Sequence, residues 1–349
     1  MIPKDYDLTD IAWNVDEPTY REDPAYSYST IAKFDREGFS KLDTLFDKTS
    51  SPSLTFGSMV DTMLTDGEQA FNDRFFVANF PALTESLTLI AQQLYARYGD
   101  NYTSIGLIPD SDILDLLNAY GYQPRWRDTT RIDDVRKKCE EYYSQLLLSN
   151  GKEVVSNEDY QDCLNCISAL RESEATKWYF EADNPWGDVK RYYQLKFTGT
   201  YKDINLRCMA DLIIVDYANK TIQPCDLKTS SHFEYDFYQS FIQWRYYIQA
   251  QLYWYIIRQN MDKHPIFKDF QLLNYRFIVV NRKTLNPLIW EYPDTKAISD
   301  VIYGENITCK NWRGIVTRLD YYLKNPGCNP VGIFTDKPNN IVSWLNLRQ

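Results

Sequence analysis

The chain has little of what several functional classes require. Among 349 residues there are only two histidines, His232 and His264, too few for a His-rich zinc site. The seven cysteines, at 139, 163, 166, 208, 225, 309 and 328, are odd in number and irregular in spacing. That pattern points to reduced thiols in a cytosol rather than to a disulfide framework. Cys163 and Cys166 form one C-x-x-C without a second pair, and Cys309 and Cys328 are too dispersed to complete a four-cysteine iron–sulfur cluster. No apolar run approaches the ~18 residues of a membrane span. The start, MIPKDYDLTDIAWNVDEP, is acidic and polar, unlike a secretory leader. There is no Gly-rich phosphate loop and no internal repeat. Positive charge is also short: 38 Lys and Arg face 48 Asp and Glu, for a net charge of −10. This argues against passive adhesion to nucleic acid, which rests on phosphate neutralisation. It leaves room for basic groups confined to one groove.

What is present suits a globular protein: 44% apolar and 25% charged residues, in a chain long enough for one or two domains. The 28 Tyr, 17 Phe and 9 Trp are read first as compositional bias. Residues 1–26, with Pro3, Pro18 and Pro24, read as an extended acidic arm. Helical periodicity follows. Ser29 is placed to cap a helix from Thr30. Between Leu54 and Leu64, Phe56, Met59, Val60, Met63 and Leu64 form a core face, and Gly57, Ser58, Asp61 and Thr65 a small polar one. Further helices are expected near 84–98, 111–119, 131–149 and 157–180, the last opened by a capping box of Ser156 and Asp159. Asn184 to Asp188 marks a turn. Strands are expected at 191–199, 206–217, 221–228, 272–281 and 287–292. An uninterrupted helix is expected over 236–262, which lacks Gly and Pro, and a last helix near 311–324. The fold class is therefore α/β (α+β): a central mixed β-sheet flanked by helices, with a helical N-terminal region.

The chemistry concentrates in Asp211 to Lys228, DLIIVDYANKTIQPCDLK. An apolar run, a turn signal at Tyr217 to Lys220 and a second run ending Asp226-Leu227-Lys228 describe a β-hairpin. If Ala218 and Asn219 are the loop, opposed residues sum to 437 and Asp211 faces Asp226. Lys228 then shares the face of Asp226, because side chains alternate along a strand. Opposed like charges are costly unless a cation lies between them, and carboxylates suit Mg²⁺ or Mn²⁺. A solvated hairpin accounts for the same residues, and a slip of one residue would part the two acids. Downstream, Gln249 and Tyr253 lie four apart on one helical face.

In this order of elements the chain resembles the exonuclease VIII (RecE) type of the PD-(D/E)xK nuclease superfamily. Asp211, the Asp226-x-Lys228 strand and the Gln249-x-x-x-Tyr253 helix carry the resemblance. Residues 28–34, 56–61, 155–160, 207–211 and 276–280 extend it over roughly 25–293. It implies a restriction-endonuclease-like core at 183–300, a helical region at 27–182 contributing to the nuclease cleft, and a C-terminal helix and tail at 301–349. The implied activity is a Mg²⁺- or Mn²⁺-dependent 5′-to-3′ exonuclease on double-stranded DNA ends. A phage or prophage setting, a strand-annealing recombinase partner, a ring-shaped oligomer and a cytoplasmic location are implied with it. Asp211, Asp226, Lys228, Gln249 and Tyr253 would be catalytic. Asp61, Asp211, Asp226 and the Leu227 carbonyl would hold metal. Arg245, Arg276, Arg282 and Lys283 are candidates for DNA phosphates. Two positions depart from the family pattern: Asp61 stands where His is usual, and Gln194 where Glu is usual before the first Asp. An inactive DNA-binding or assembly relative on the same fold, and a structure-specific endonuclease, therefore stand as alternatives.

Overall fold

The computed structural model describes residues 6–47, 49–184 and 187–328, so the tail from Asn329 lies outside the described residues. Two compact units divide the chain: residues 58–167 form one, and the segments 1–57 and 168–349 the other.

The second of these is built on a six-stranded mixed sheet. Its strands are β1 (Val189–Tyr201), β2 (Ile204–Asp216), β3 (Thr221–Ser230), β4 (Gln271–Leu272), β5 (Tyr275–Asn281) and β6 (Leu288–Tyr292). They run in the order β1-β2-β3-β5-β6, with β4 also on β3. The β3–β5 and β3–β4 pairs are parallel and the others antiparallel. Burial along β2 explains the strand. Ile204, Leu206, Cys208 and Ala210 are buried in alternation, then Leu212, Ile213, Ile214 and Val215 without a break. One face is thus covered at the start of β2 and both faces at its end, as for strands flanked by helices.

The hairpin register is the expected one: Asp216 pairs with Thr221 and Leu212 with Cys225. The loop is four residues rather than two. Asp216 organises it by accepting from the Asn219 amide, and Lys220 takes a left-handed φ of 52°. Pro224 explains a second irregularity. It has no N–H to give a ladder, and the neighbour of β3 is split there into β4 and β5. The Gln223 side chain bridges the break, its Nε2 donating to the Asn274 carbonyl at 2.6 Å.

Four helices pack into the core cluster of the sheet: α1 (Tyr28–Glu37), α2 (Phe237–Gln243), α3 (Tyr246–Lys263) and α4 (Trp312–Lys324). In α4, Trp312, Ile315, Val316 and Leu319 are buried, one stripe at helical spacing. Gly199 of β1 admits α3 closely, since a Cβ there would lie 2.9 Å from Gln259 Oε1. The helix expected over 236–262 is broken between α2 and α3. Arg245 is left-handed (φ 63°), with its Nε 2.9 Å from Asp35, and the Trp244 carbonyl accepts from Tyr28 Oη at 2.6 Å. Tertiary bonds replace the helical ones, which no local Gly or Pro announces. Helix α1 begins at Tyr28 with Ser27 as N-cap, so Ser29 is not the cap.

The unit of residues 58–167 has its own core, from helices Glu85–Tyr98, Asp110–Ala119 and Asp128–Ser149. A parallel pair, Phe75–Ala78 with Glu153–Ser156, adjoins them. Ser156 caps the helix Asn157–Glu172 as expected, its Oγ accepting from the Asp159 amide at 3.0 Å. That helix ends well before 180. Gly187 N–H closes the turn on the Asn184 carbonyl at 2.8 Å. Among the described residues no helix is long and apolar enough to cross a membrane.

The N-terminal segment is anchored rather than extended throughout. It forms a 3-10 turn at Leu8–Ile11 and a helix at Glu17–Glu22, and Leu8 is fully buried in the cluster of the sheet. Asp7 fixes it by accepting from Thr9 N–H at 3.0 Å and Tyr192 Oη at 3.0 Å and by pairing with Lys190. Burial pushes the Asp7 carboxyl up, but these bonds outweigh it and hold its pKa at about 2, below the ordinary 3.8. A depressed folded-state value stabilises the fold above the unfolded pKa, and the gain is lost as pH falls toward 2. Asp7→Asn is therefore expected to cost about 1 kcal/mol at pH 7, allowing for solvent screening of the half-buried group. Urea unfolding of both proteins at falling pH should show that gap closing. A gap that stays constant would detach Asp7 from the acid response.

Candidate active site

The site forms where β2, β3 and α3 meet. Asp226 lies on β3, a strand hydrogen-bonded on both edges, and is only 1% exposed. A carboxylate so placed must be compensated. Its Oδ2 pairs with Lys228 Nζ, two residues along the same strand, and its Oδ1 accepts from Gln249 Nε2 of α3 at 2.5 Å. Lys228 also lies over the Tyr246 ring, 4.6 Å from its centre. Burial pulls the Lys228 ammonium down, but Asp226, Tyr246 and Asp211 beside it outweigh burial and hold its pKa above the ordinary 10.5. By linkage, this contribution to stability is complete below that ordinary value and is lost only as pH rises through the raised one.

Asp211 sits just beyond the last β2–β3 pair, where the register continues to oppose it to Asp226. Its Oδ2 accepts from the Leu227 N–H at 3.0 Å. A residue's N–H and C=O leave the same edge of a strand, so the Leu227 carbonyl is directed to the Asp211 side as well. Across β2, the β1 residue opposite Asp211 is Gln194, and the β1–β2 ladder skips this pair. Gln194 is left-handed (φ 52°), a conformation that costs a residue with a Cβ about 1–3 kcal/mol. Backbone strain thus coincides with the first acid.

Tyr253 follows Gln249 by one turn and is buried, with its ring edge-on to Tyr275 at 6.1 Å. Burial pushes both phenols well above their ordinary pKa, so they remain hydrogen-bond donors. Gln249 Oε1 and Tyr275 Oη are buried without hydrogen-bond partners. Each unmet group costs about 1–3 kcal/mol.

The residues named from the sequence separate into two groups. Asp211, Asp226, Leu227, Lys228 and Gln249 are brought together, with Tyr253 adjoining. The proposed phosphate contacts are engaged with other groups or exposed. Arg245 is held by Asp35, and Arg276 by Glu291 at 2.9 Å and by Tyr179 Oη at 2.9 Å. Arg282 lies over the Phe56 ring at 4.9 Å, and Lys283 is exposed. On the helix Pro52–Thr65, Phe56, Met59, Val60, Met63 and Leu64 are buried as expected. Gly57 comes close enough to β3 that a Cβ would lie 3.3 Å from Thr229 Oγ1. Asp61 is half-buried one turn later and belongs to the other unit. Sequence reasoning missed Tyr246, although its spacing of three before Gln249 puts it on the same face. It also missed Tyr275 and the strain at Gln194, for which no local signal exists.

Among the described residues no three His, Cys, Asp or Glu side chains gather around a common point. The oxygens at hand are those of Asp211, Asp226, the Leu227 carbonyl and the unpartnered Gln249 Oε1. An all-oxygen set with one or two carboxylates fits Mg²⁺ or Mn²⁺, which keep several waters. Such an ion would compete with Lys228 for Asp226.

No protein-family model matches this chain, and no curated protein matches it. Among solved structures it is similar to a presumed exonuclease from Eubacterium rectale. The two are 13% identical, the match covers 96% of this chain and 98% of that one, and the TM-score is 0.42. A likeness that distant carries no argument here.

The buried pair makes a prediction independent of activity. Asp226→Asn strands Lys228 and is expected to cost about 3 kcal/mol. Adding Lys228→Met should recover much of that, because the remaining groups no longer include an uncompensated charge. Denaturant unfolding of the two single variants and the double variant measures the coupling. Strictly additive losses would show that the two groups do not depend on each other.

Proposed function

We propose that the protein is a metal-dependent deoxyribonuclease. The observation that carries the proposal is Asp226: a buried carboxylate clamped between Lys228 and Gln249, with Asp211 opposed to it on the next strand. A sheet held together by apolar contacts has no need of this arrangement, because a buried ion pair adds little or nothing over apolar groups of the same size. Phosphodiester hydrolysis does need it. Asp211 and Asp226, with the Leu227 carbonyl, would bind Mg²⁺ or Mn²⁺. When bound, the ion supplies neutralisation of phosphate charge and acidification of a water. Gln249 keeps the Asp226 carboxylate aimed. Lys228, a protonated donor on the same face, would stabilise charge growing on the phosphate oxygens and orient the attacking water. Its raised pKa favours these roles over that of a general base. Tyr253 would donate to a phosphate oxygen.

The resemblance to the exonuclease VIII type carries the finer reading: 5′-to-3′ digestion of duplex ends, in phage recombination or replication, beside a strand-annealing partner and in a ring. The assignment of Asp61 to the same ion rests on that resemblance too. One observation favours a second reading, an inactive DNA-binding relative: Lys228 already neutralises Asp226.

Incubation with end-labelled linear DNA and closed circular DNA, with Mg²⁺, Mn²⁺ or EDTA, separates the readings. The expected result is loss of label from linear DNA only, dependent on the metal and abolished by Asp226→Asn. Cutting of closed circles would indicate the endonuclease. A protein inert towards both with either metal sinks the nuclease proposal. As a readout without DNA, Mn²⁺ is expected to raise the melting temperature of the wild type and not that of Asp226→Asn.

A further inference from the structure

Far along the sheet from the carboxylates, the turn between β1 and β2 and the outer side of α4 border a shallow, open groove of about 490 Å³. That volume is in the range of small-ligand sites. Its charges are Lys202 from the turn and Arg313 and Arg318 from α4, and its rings are Tyr201, Tyr321 and Tyr322. No carboxylate lines it, although the chain as a whole carries a net charge of −10. Among the described residues, no ion pair joins these three cations to an acid. They are held by rings and, for Arg313, by donation from Nη1 to the Ala297 carbonyl at 3.3 Å and to Asn311 Oδ1 at 3.4 Å. Arg313 packs 4.7 Å from the Trp312 ring and 5.0 Å from that of Tyr255, and Arg318 lies 5.7 Å from Phe34. Lys202 lies 5.4 Å from Tyr201. Burial pulls the Arg313 pKa down and no carboxylate beside it offsets that. A guanidinium remains charged even so, so among the described residues the groove presents positive charge without a carboxylate partner.

The rings narrow the ligand further. Tyr321 is 52% exposed, more than a core tyrosine would be. Cations interleaved with accessible aromatic rings suit a phosphate joined to a flat base: Arg and Lys take the phosphate oxygens, and a ring face takes the base. Gly314 lines the same groove, and no atom lies within 4 Å of where its Cβ would be. The wall is therefore low at the point where α4 begins.

We propose that this groove binds nucleotide units of a single nucleic-acid strand, as a second contact remote from the carboxylates. Ile204, at the groove end of β2, is seven residues from Asp211, roughly 23 Å at the rise of a strand. That corresponds to about seven nucleotides of a B-form strand. The proposal deepens the nuclease reading by adding a grip on the strand away from the cut, and its test requires no cleavage.

The test is fluorescence polarisation with a labelled single-stranded oligothymidylate in EDTA and low salt. Two proteins are compared with the wild type: the double variant Lys202→Ala, Arg318→Ala, and Gly314→Leu. The double variant is expected to bind about tenfold or more weakly, and its salt dependence should lose about 1.4 units of slope for two lost phosphate contacts. Gly314→Leu, which improves helix propensity and removes no charge, should weaken binding with the slope unchanged. Displacement of the oligonucleotide by millimolar adenosine monophosphate would assign the groove to free nucleotides, and its absence to the strand. Unchanged affinity in both variants overturns the proposal. Loss of binding in both, in a protein that cleaves nothing, would uphold it while the nuclease reading fails.

Discussion

Asp226 carries its charge at a place that solvent barely reaches, and the surrounding structure is arranged to make that tolerable. Breaking such a pair costs about 3–5 kcal/mol, because the remaining charge stays buried. The compensation comes from three directions: Lys228 along β3, Gln249 from α3, and the ring of Tyr246 beneath the ammonium. Each requires something of the fold. Lys228 needs the two-residue period of a regular strand. Gln249 needs the crossover between the parallel strands β3 and β5 to return α3 over Asp226 itself. Asp211 needs the β2–β3 register to hold, for a slip of one residue would turn it to the other face of the sheet.

Two irregularities of the fold lie next to these same residues. Gln194, opposite Asp211, and Arg245, one turn before Gln249, both have left-handed backbones. Neither is glycine, so each carries strain that its surroundings must hold. For Arg245 the holding groups are visible: Asp35 grips the guanidinium, and the Ile242 carbonyl accepts from it at 2.6 Å. The break there lets α3 start in a new direction, independent of α2. Strained backbone of this kind is found at functional sites, but it is also present in this chain at Lys202 and Lys220, in the turns that end β1 and β2.

Much of this frame is legible in the sequence, for physical reasons that differ by element. The β2–β3 hairpin is readable from one apolar run, one turn and a second run, whereas its register rests on where the loop is placed, since a slip of one residue would part the two acids. The Asp226–Lys228 face follows from strand geometry alone. The helices at Glu85–Tyr98 and Trp312–Lys324 are readable from periodicity. What is not legible depends on contacts distant in sequence. The helix break at Trp244-Arg245 is made by Tyr28 and Asp35, about two hundred residues away in the chain, and no local propensity reports it. The bonding that anchors the N-terminal segment likewise depends on Lys190 and Tyr192. Pro224 was in plain view, but its effect, the division of the neighbouring strand, needs knowledge of which strand is the neighbour.

The distribution of positive charge bears on how an acidic protein would hold a polyanion. Many of its cations are committed to its own acids: Arg245 and Lys310 to Asp35, Arg276 to Glu291, Arg191 to Asp183, Lys228 to Asp226. A cation already paired has little to offer a phosphate, because it would have to give up one anion for another. Among the described residues Lys202, Arg313 and Arg318 are not paired with an acid, and they share one groove with three tyrosines. With a net charge of −10, the rest of the surface repels a nucleic-acid strand over about a Debye length, ~8 Å at physiological salt. Binding must then be local, salt-sensitive and dependent on stacking. Net charge does not therefore decide whether such a chain meets DNA; what matters is which of its cations remain unpaired, and whether they lie together.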